Sequence, residues 1–95
     1  MKSRISLPAD ADINGIWNYI GQDNPSAANR VEQSIHAAIE KLEEHPNFGH
    51  PRDDIAPAEY KFYRVHSYFI VYRIEGDTLV VVRVIHAARN LPKFF

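Results

Sequence analysis

The sequence predicts an α+β domain: a short N-terminal strand, then an antiparallel helical hairpin packed on one face of a mainly antiparallel sheet of three to four strands. Three observations carry this. Two apolar stripes at helical spacing lie between Pro8 and His45. From Lys61 onward the chain turns to aromatic and β-branched residues in short runs. Between the two lies a stretch whose prolines and glycine suit neither element.

The first element is "KSRIS", Lys2 to Ser6, which alternates weakly and suits a short strand. Pro8 fits the first position of a helix, and Asp10 and Asp12 fit its first turn, where carboxylates favour the helix dipole. Ile13, Ile16, Trp17 and Ile20 then follow on one helical face. Gly15 inside this helix costs about 1 kcal/mol relative to alanine, a loss that packing has to offset. "GQDNP" ends the helix. Asn24 suits the N-cap and Pro25 the first position of a second helix. Val31, Ile35, Ala38, Ile39 and Leu42 form its buried stripe, and His45-Pro46 stops it, because a residue before proline avoids the α region. The short link implies antiparallel helices.

Pro46 to Tyr60 reads as a loop, long for a compact domain, and such loops often carry function. "KFYRV", "YFIVYRI" and "TLVVVRVIH" then read as three strands of a meander, turned at His66-Ser67 and at Glu75-Gly76-Asp77. With all three residues 75–77 in the turn, Tyr72 opposes Val80 and Ile70 opposes Val82. The core face is then Tyr68, Ile70, Tyr72, Ile74, Val80, Val82 and Val84. The other face carries Phe69, Val71, Arg73, Leu79, Val81, Arg83 and Ile85. Two helices cover one side of a sheet, so this apolar second face is expected to await a partner.

Ninety-five residues make one domain, 1–95, and 45% hydrophobic with 24% charged residues is a globular composition. The net charge of −1 argues against generic or sequence-specific nucleic-acid binding. The charge is uneven: residues 1–59 carry a net −5 and residues 60–95 a net +4, so the basic end suits an acidic partner. There is no cysteine, and Lys2 and Arg4 precede no apolar signal segment, so the expected location is the cytoplasm. Arg73 and Arg83 break the apolar runs, which are too short to cross a bilayer. His45 and His50 have a tempting spacing for a metal, but Pro46, Gly49 and Pro51 forbid the helix that spacing needs, and no cofactor or metal is expected.

Four segments in order, "ADADINGIWNYI", "EHPNFGHPR", "YFIVYRI" and "VRVIHAARN", make nearly the whole chain resemble the RelE/ParE superfamily of bacterial toxins. The resemblance implies the toxin of a type II toxin–antitoxin pair, neutralised by a cognate antitoxin whose C-terminal segment wraps the toxin. The RelE-like branch cleaves mRNA on the ribosome without a metal, which takes a base, an acid and arginines in one groove. The ParE-like branch shares the fold and acts on DNA gyrase. Here the strand reads "YFIVY", with Phe69 where the nuclease branch places an arginine, and the tail "LPKFF" lacks that branch's tyrosine. These departures favour the ParE-like branch, with gyrase as the expected target.

Candidate residues follow from this. His86, Arg83 and Arg89 are the first suspects for a nuclease. For binding the antitoxin or the target, the candidates are Phe69, Val71, Arg73, Leu79, Val81, Arg83, Ile85 and Arg89. Arginines at the margins of an apolar face select an acidic, partly apolar segment.

Overall fold

Ser6 ends the first strand and begins the first helix. Its N–H donates to Val81 O (3.0 Å), its hydroxyl donates to Val82 O (2.8 Å), and the same oxygen accepts from Ala9 N (3.2 Å). In the computed structural model, which describes all residues Met1–Phe95, this joint links β1 (Lys2–Ile5) to α1 (Leu7–Gly21). Because Ser6 is the cap, Leu7 takes the first helical position and Pro8 the second, one place later than predicted. Proline is harmless there, since first-turn N–H groups have no helical acceptor. Asn24 caps α2 (Pro25–Glu44) as predicted, accepting from Ala27 N (3.0 Å). Trp17 Nε1 donates to Asn29 Oδ1 (2.9 Å) and ties the two helices together.

The remaining strands are β2 (His50–Pro51), β3 (Lys61–Val65), β4 (Tyr68–Glu75) and β5 (Thr78–His86), followed by a 3-10 turn at Leu91–Phe94. They form one sheet in the order β1-β5-β4-β3-β2, with only the β1–β5 pairing parallel. The two-residue β2, drawn from the long loop by pairing with Phe62 and Lys61, raises the strand count to five. The helices pack on one face. There Ile35, Leu42, Ile70, Tyr72, Leu79 and Val81 are fully buried in the main core, with Ile13, Ile39 and Val84 beside them.

The register of the last hairpin differs from the prediction. Glu75 pairs with Thr78, so only Gly76 and Asp77 form the turn, with Gly76 at φ 61°. A two-residue hairpin of this kind needs positive φ at its first central position. Tyr72 therefore opposes Val81 rather than Val80. A bulge then inserts Val82 between the Tyr72–Val81 and Val71–Arg83 pairs, and Ile70 opposes Val84 rather than Val82. A bulge shifts the alternation by one residue. Hence Leu79 and Val81 enter the main core, contrary to their assignment to the second face. Val80 and Val82 take the opposite side, while Arg83, Val84 and Ile85 lie as predicted.

The second face is largely covered, except for a groove over Val80 and Val82. Segment 52–60 and the C-terminal tail lie over it. Ala56, Phe62 and Val71 form a small second core with Ile55, Tyr60 and Phe69 packed around it. Phe95 meets Tyr60 and Phe62 at ring distances of 5.5 and 5.9 Å. Val71 and Ile85, predicted to await a partner, are buried within the chain itself. A loop and two terminal phenylalanines supply the apolar cover that the helices cannot.

One phenol anchors the loop. Tyr72 OH donates to Pro46 O (2.7 Å) and accepts from Gly49 N (2.9 Å). Burial holds the Tyr72 phenol above its ordinary value of 10.0, and burial together with nearby Tyr19 does the same for Tyr68. The folded chain thus holds these protons more tightly than the unfolded chain. The stability they confer is complete below about pH 10 and is lost as the pH climbs through the raised folded values. Chemical-denaturation midpoints are expected to fall above that pH, together with a late phenolate absorbance step.

Candidate functional site

The two grooves that matter share a wall. Asp12 in α1 accepts two hydrogen bonds from Arg83 in β5, from Nε at 2.7 Å and from Nη2 at 2.8 Å, and a third from Val84 N at 2.9 Å. These bonds push the Arg83 guanidinium above its already high value. They also occupy the part of the β5 edge that β1 is too short to cover. Ser6 holds the neighbouring carbonyls, so this edge offers little backbone for an incoming strand. Phe94 completes the wall, with its ring 4.9 Å from the Arg83 guanidinium and 5.6 Å from that of Arg89.

On one side of the wall is a groove of roughly 450 Å³ floored by Val80 and Val82. Pro8, Tyr60 and Phe95 wall it, and Arg4 and Arg73 stand at its rim. Both arginines reach Glu75, at 3.5 and 3.0 Å. On the other side is a larger groove of roughly 610 Å³ between α1 and the end of β5, lined by Ile16, Tyr19, Tyr68, His86 and Arg89. The Tyr68 and His86 rings meet edge to face at 5.2 Å. His86 Nδ1 accepts from Ala88 N (3.1 Å), so a neutral imidazole here carries its proton on Nε2. Arg89 is exposed and makes no ion pair.

Of the predicted site residues, the fold brings Arg83, Ile85, His86 and Arg89 to this larger groove, and Arg73 to its neighbour across the wall. Phe69 lies elsewhere, beside Phe62 and under Arg64 at 5.6 Å. Val71, Leu79 and Val81 are buried. Sequence reasoning missed Tyr19, Tyr60, Phe94 and the Asp12–Arg83 pair. The two C-terminal phenylalanines were a readable signal of a docked tail. Nothing in the sequence links Asp12 to a residue 71 positions away. Replacing Asp12 by alanine leaves a half-buried guanidinium and an edge N–H without acceptors. It is expected to cost about 2 kcal/mol, read from urea denaturation.

Two helices on one face of this sheet, with the grooves at the end of its last strand, set the frame in which the chain's relatives place it among toxins of the type II toxin–antitoxin class. A family model described as "ParE toxin of type II toxin-antitoxin system, parDE" matches residues 4–91. The chain belongs to this family, within the ParE/RelE superfamily. It is 32% identical over 88 residues to Toxin ParE1 of Caulobacter vibrioides, covering 92% of this chain and 90% of that one. It is also 35% identical over 80 residues to Toxin RelE2 of the same organism, covering 83% and 86%. Among solved structures the fold matches the chromosomal ParDE toxin–antitoxin system from P. aeruginosa, with TM-score 0.76, 20% identity and coverage of 90% of this chain and 95% of that one. The RelBE2 toxin–antitoxin complex from Mycobacterium tuberculosis matches with TM-score 0.62, 24% identity and the same coverage. No helix of the chain is long and apolar enough to cross a membrane.

Proposed function

We propose that this toxin acts in the cytoplasm by poisoning DNA gyrase rather than by cutting RNA, and that a cognate antitoxin neutralises it by covering the two grooves that meet at Arg83 and Phe94. The observation that carries the target assignment is the state of Arg83. Asp12 holds its Nε–Nη2 edge in a bidentate ion pair, so its charge is already largely neutralised and its side chain fixed against α1, which leaves it poorly placed to stabilise a phosphorane. Arg89 is then the one uncommitted guanidinium of the larger groove, and Phe69, where the nuclease branch has an arginine, lies outside that groove. Apolar walls and a single free cation suit a protein surface better than a phosphodiester. The antitoxin assignment rests on exposed Tyr19, unpaired Arg89 and apolar Val82, Phe94 and Phe95, which together fit an acidic, partly apolar segment that orders on binding.

One observation favours the nuclease alternative: His86, Arg83 and Arg89 line a single groove. Pulse labelling after induction separates the two. A gyrase poison stops thymidine incorporation first, with leucine incorporation following later. Leucine incorporation collapsing first, with cleaved transcripts, contradicts the proposal and supports the nuclease. Co-expression of a cognate antitoxin is expected to restore growth.

A further inference from the structure

Helix α1 has a second apolar row that nothing in the chain covers. Ala9 and Ile13 face the main core. On the outward side lie Leu7, Ala11, Gly15 and Tyr19, each one helical turn plus a fraction from the last, in a row roughly 18 Å long. Leu7 and Tyr19 are the two most exposed large hydrophobic residues of the molecule, at 85% and 77%. Ala11 and Gly15 are exposed between them. A Cβ built on Gly15 meets no atom within 4 Å, so the packing of the fold does not require glycine there. Glycine is the poorest helix former after proline, and on a helix surface it allows another backbone to approach closely.

The order large, small, small, large reads the same in both directions about position 13. A two-fold contact demands this property, since residue i of one copy meets residue j of the other and j meets i. In an antiparallel pair of α1 helices, Leu7 of each copy meets Tyr19 of the other, and Ala11 meets Gly15 at the closest approach. The row carries no charge, and Asp12 beside it is already neutralised by Arg83. Antiparallel helix dipoles attract. Covering the two large side chains and the dip on both copies removes roughly 800 Å² from solvent, below the standard interface size and in keeping with a weak, transient contact.

We infer that the free toxin forms a weak two-fold dimer through the Leu7–Ala11–Gly15–Tyr19 row. Ala11, Gly15 and Tyr19 also border the groove beside His86, so the dimer and any partner seated there exclude one another. The inference rests on the row's geometry and not on the identity of the toxin's target.

Sedimentation velocity tests it over a concentration range of about 1 to 100 µM. The wild-type chain is expected to shift from monomer to dimer across this range. Tyr19→Asp and Gly15→Leu are each expected to raise the dissociation constant by about tenfold or more, with unchanged circular dichroism. Leucine is a better helix former than glycine, so unfolding cannot explain a loss in Gly15→Leu. The chain has no cysteine, so an Ala11→Cys/Gly15→Cys double variant reports the pairing directly. It forms an intermolecular disulfide on oxidation, whereas Ala11→Cys/Glu40→Cys does not. A wild-type chain that stays monomeric throughout overturns the inference, as does a dimer indifferent to both substitutions. A monomer in which Gly15→Leu weakens only antitoxin capture assigns the row to the antitoxin and equally overturns it.

Discussion

Tyr72→Phe is expected to lower stability by about 2–4 kcal/mol, although it removes a single oxygen. That oxygen accepts from Gly49 N and donates to Pro46 O, and both partners lose their only bond to the sheet when it goes. The loop they anchor runs into β2 and on to Ala56 and Tyr60, which cover the second face. The complementary change, Gly49→Ala, approaches the same anchor from the other side. A Cβ there lies 2.6 Å from the Tyr72 hydroxyl, inside the distance real Cβ atoms keep. The two variants are expected to be non-additive in a double-mutant cycle, because each releases the same loop. Equal denaturation midpoints for wild type and Tyr72→Phe would sink this account of the loop.

The second large effect concerns Arg89. Arg89→Glu inverts the one uncommitted charge of the larger groove and is expected to weaken antitoxin binding by about tenfold or more. Arg83→Glu, in the same groove, is a poorer probe. It breaks the pair with Asp12 and sets two carboxylates against each other, so folding and binding change together. Glu40→Lys, on the exposed side of α2, is expected to leave binding within about twofold of wild type. A titration in which Glu40→Lys is the more damaging change places the antitoxin on the helical face instead.

The helical half of the fold was legible because its signals are local. The α2 stripe from Val31 to Leu42 and the Asn24-Pro25 start depend only on spacing and caps. The register of β5 was not legible, for a specific reason. Val80, Val81 and Val82 are three identical apolar residues, so the bulge at Val82 leaves no polar mark in the pattern. Glu75 suits either a turn or a strand end, and its pairing with Thr78 decides which face each valine takes. The predicted open face failed for a different reason. Its cover comes from Ala56, Tyr60, Phe94 and Phe95, short pieces that carry no periodicity and gain a role only by tertiary contact. Arg89 and His86 were recognisable at the end of β5 because they follow a readable strand. Asp12 read as a first-turn carboxylate, yet it is spent on Arg83 and the edge of the sheet.

The most direct measurement of the central claim uses purified toxin in two parallel reactions: gyrase supercoiling of relaxed plasmid, and ribosome-dependent cleavage of a defined mRNA. The toxin is expected to block supercoiling in proportion to its concentration, to lose that effect when antitoxin is added, and to leave the mRNA intact. Cleaved mRNA with supercoiling unaffected contradicts the account and turns attention to His86, Arg83 and Arg89 as a catalytic set.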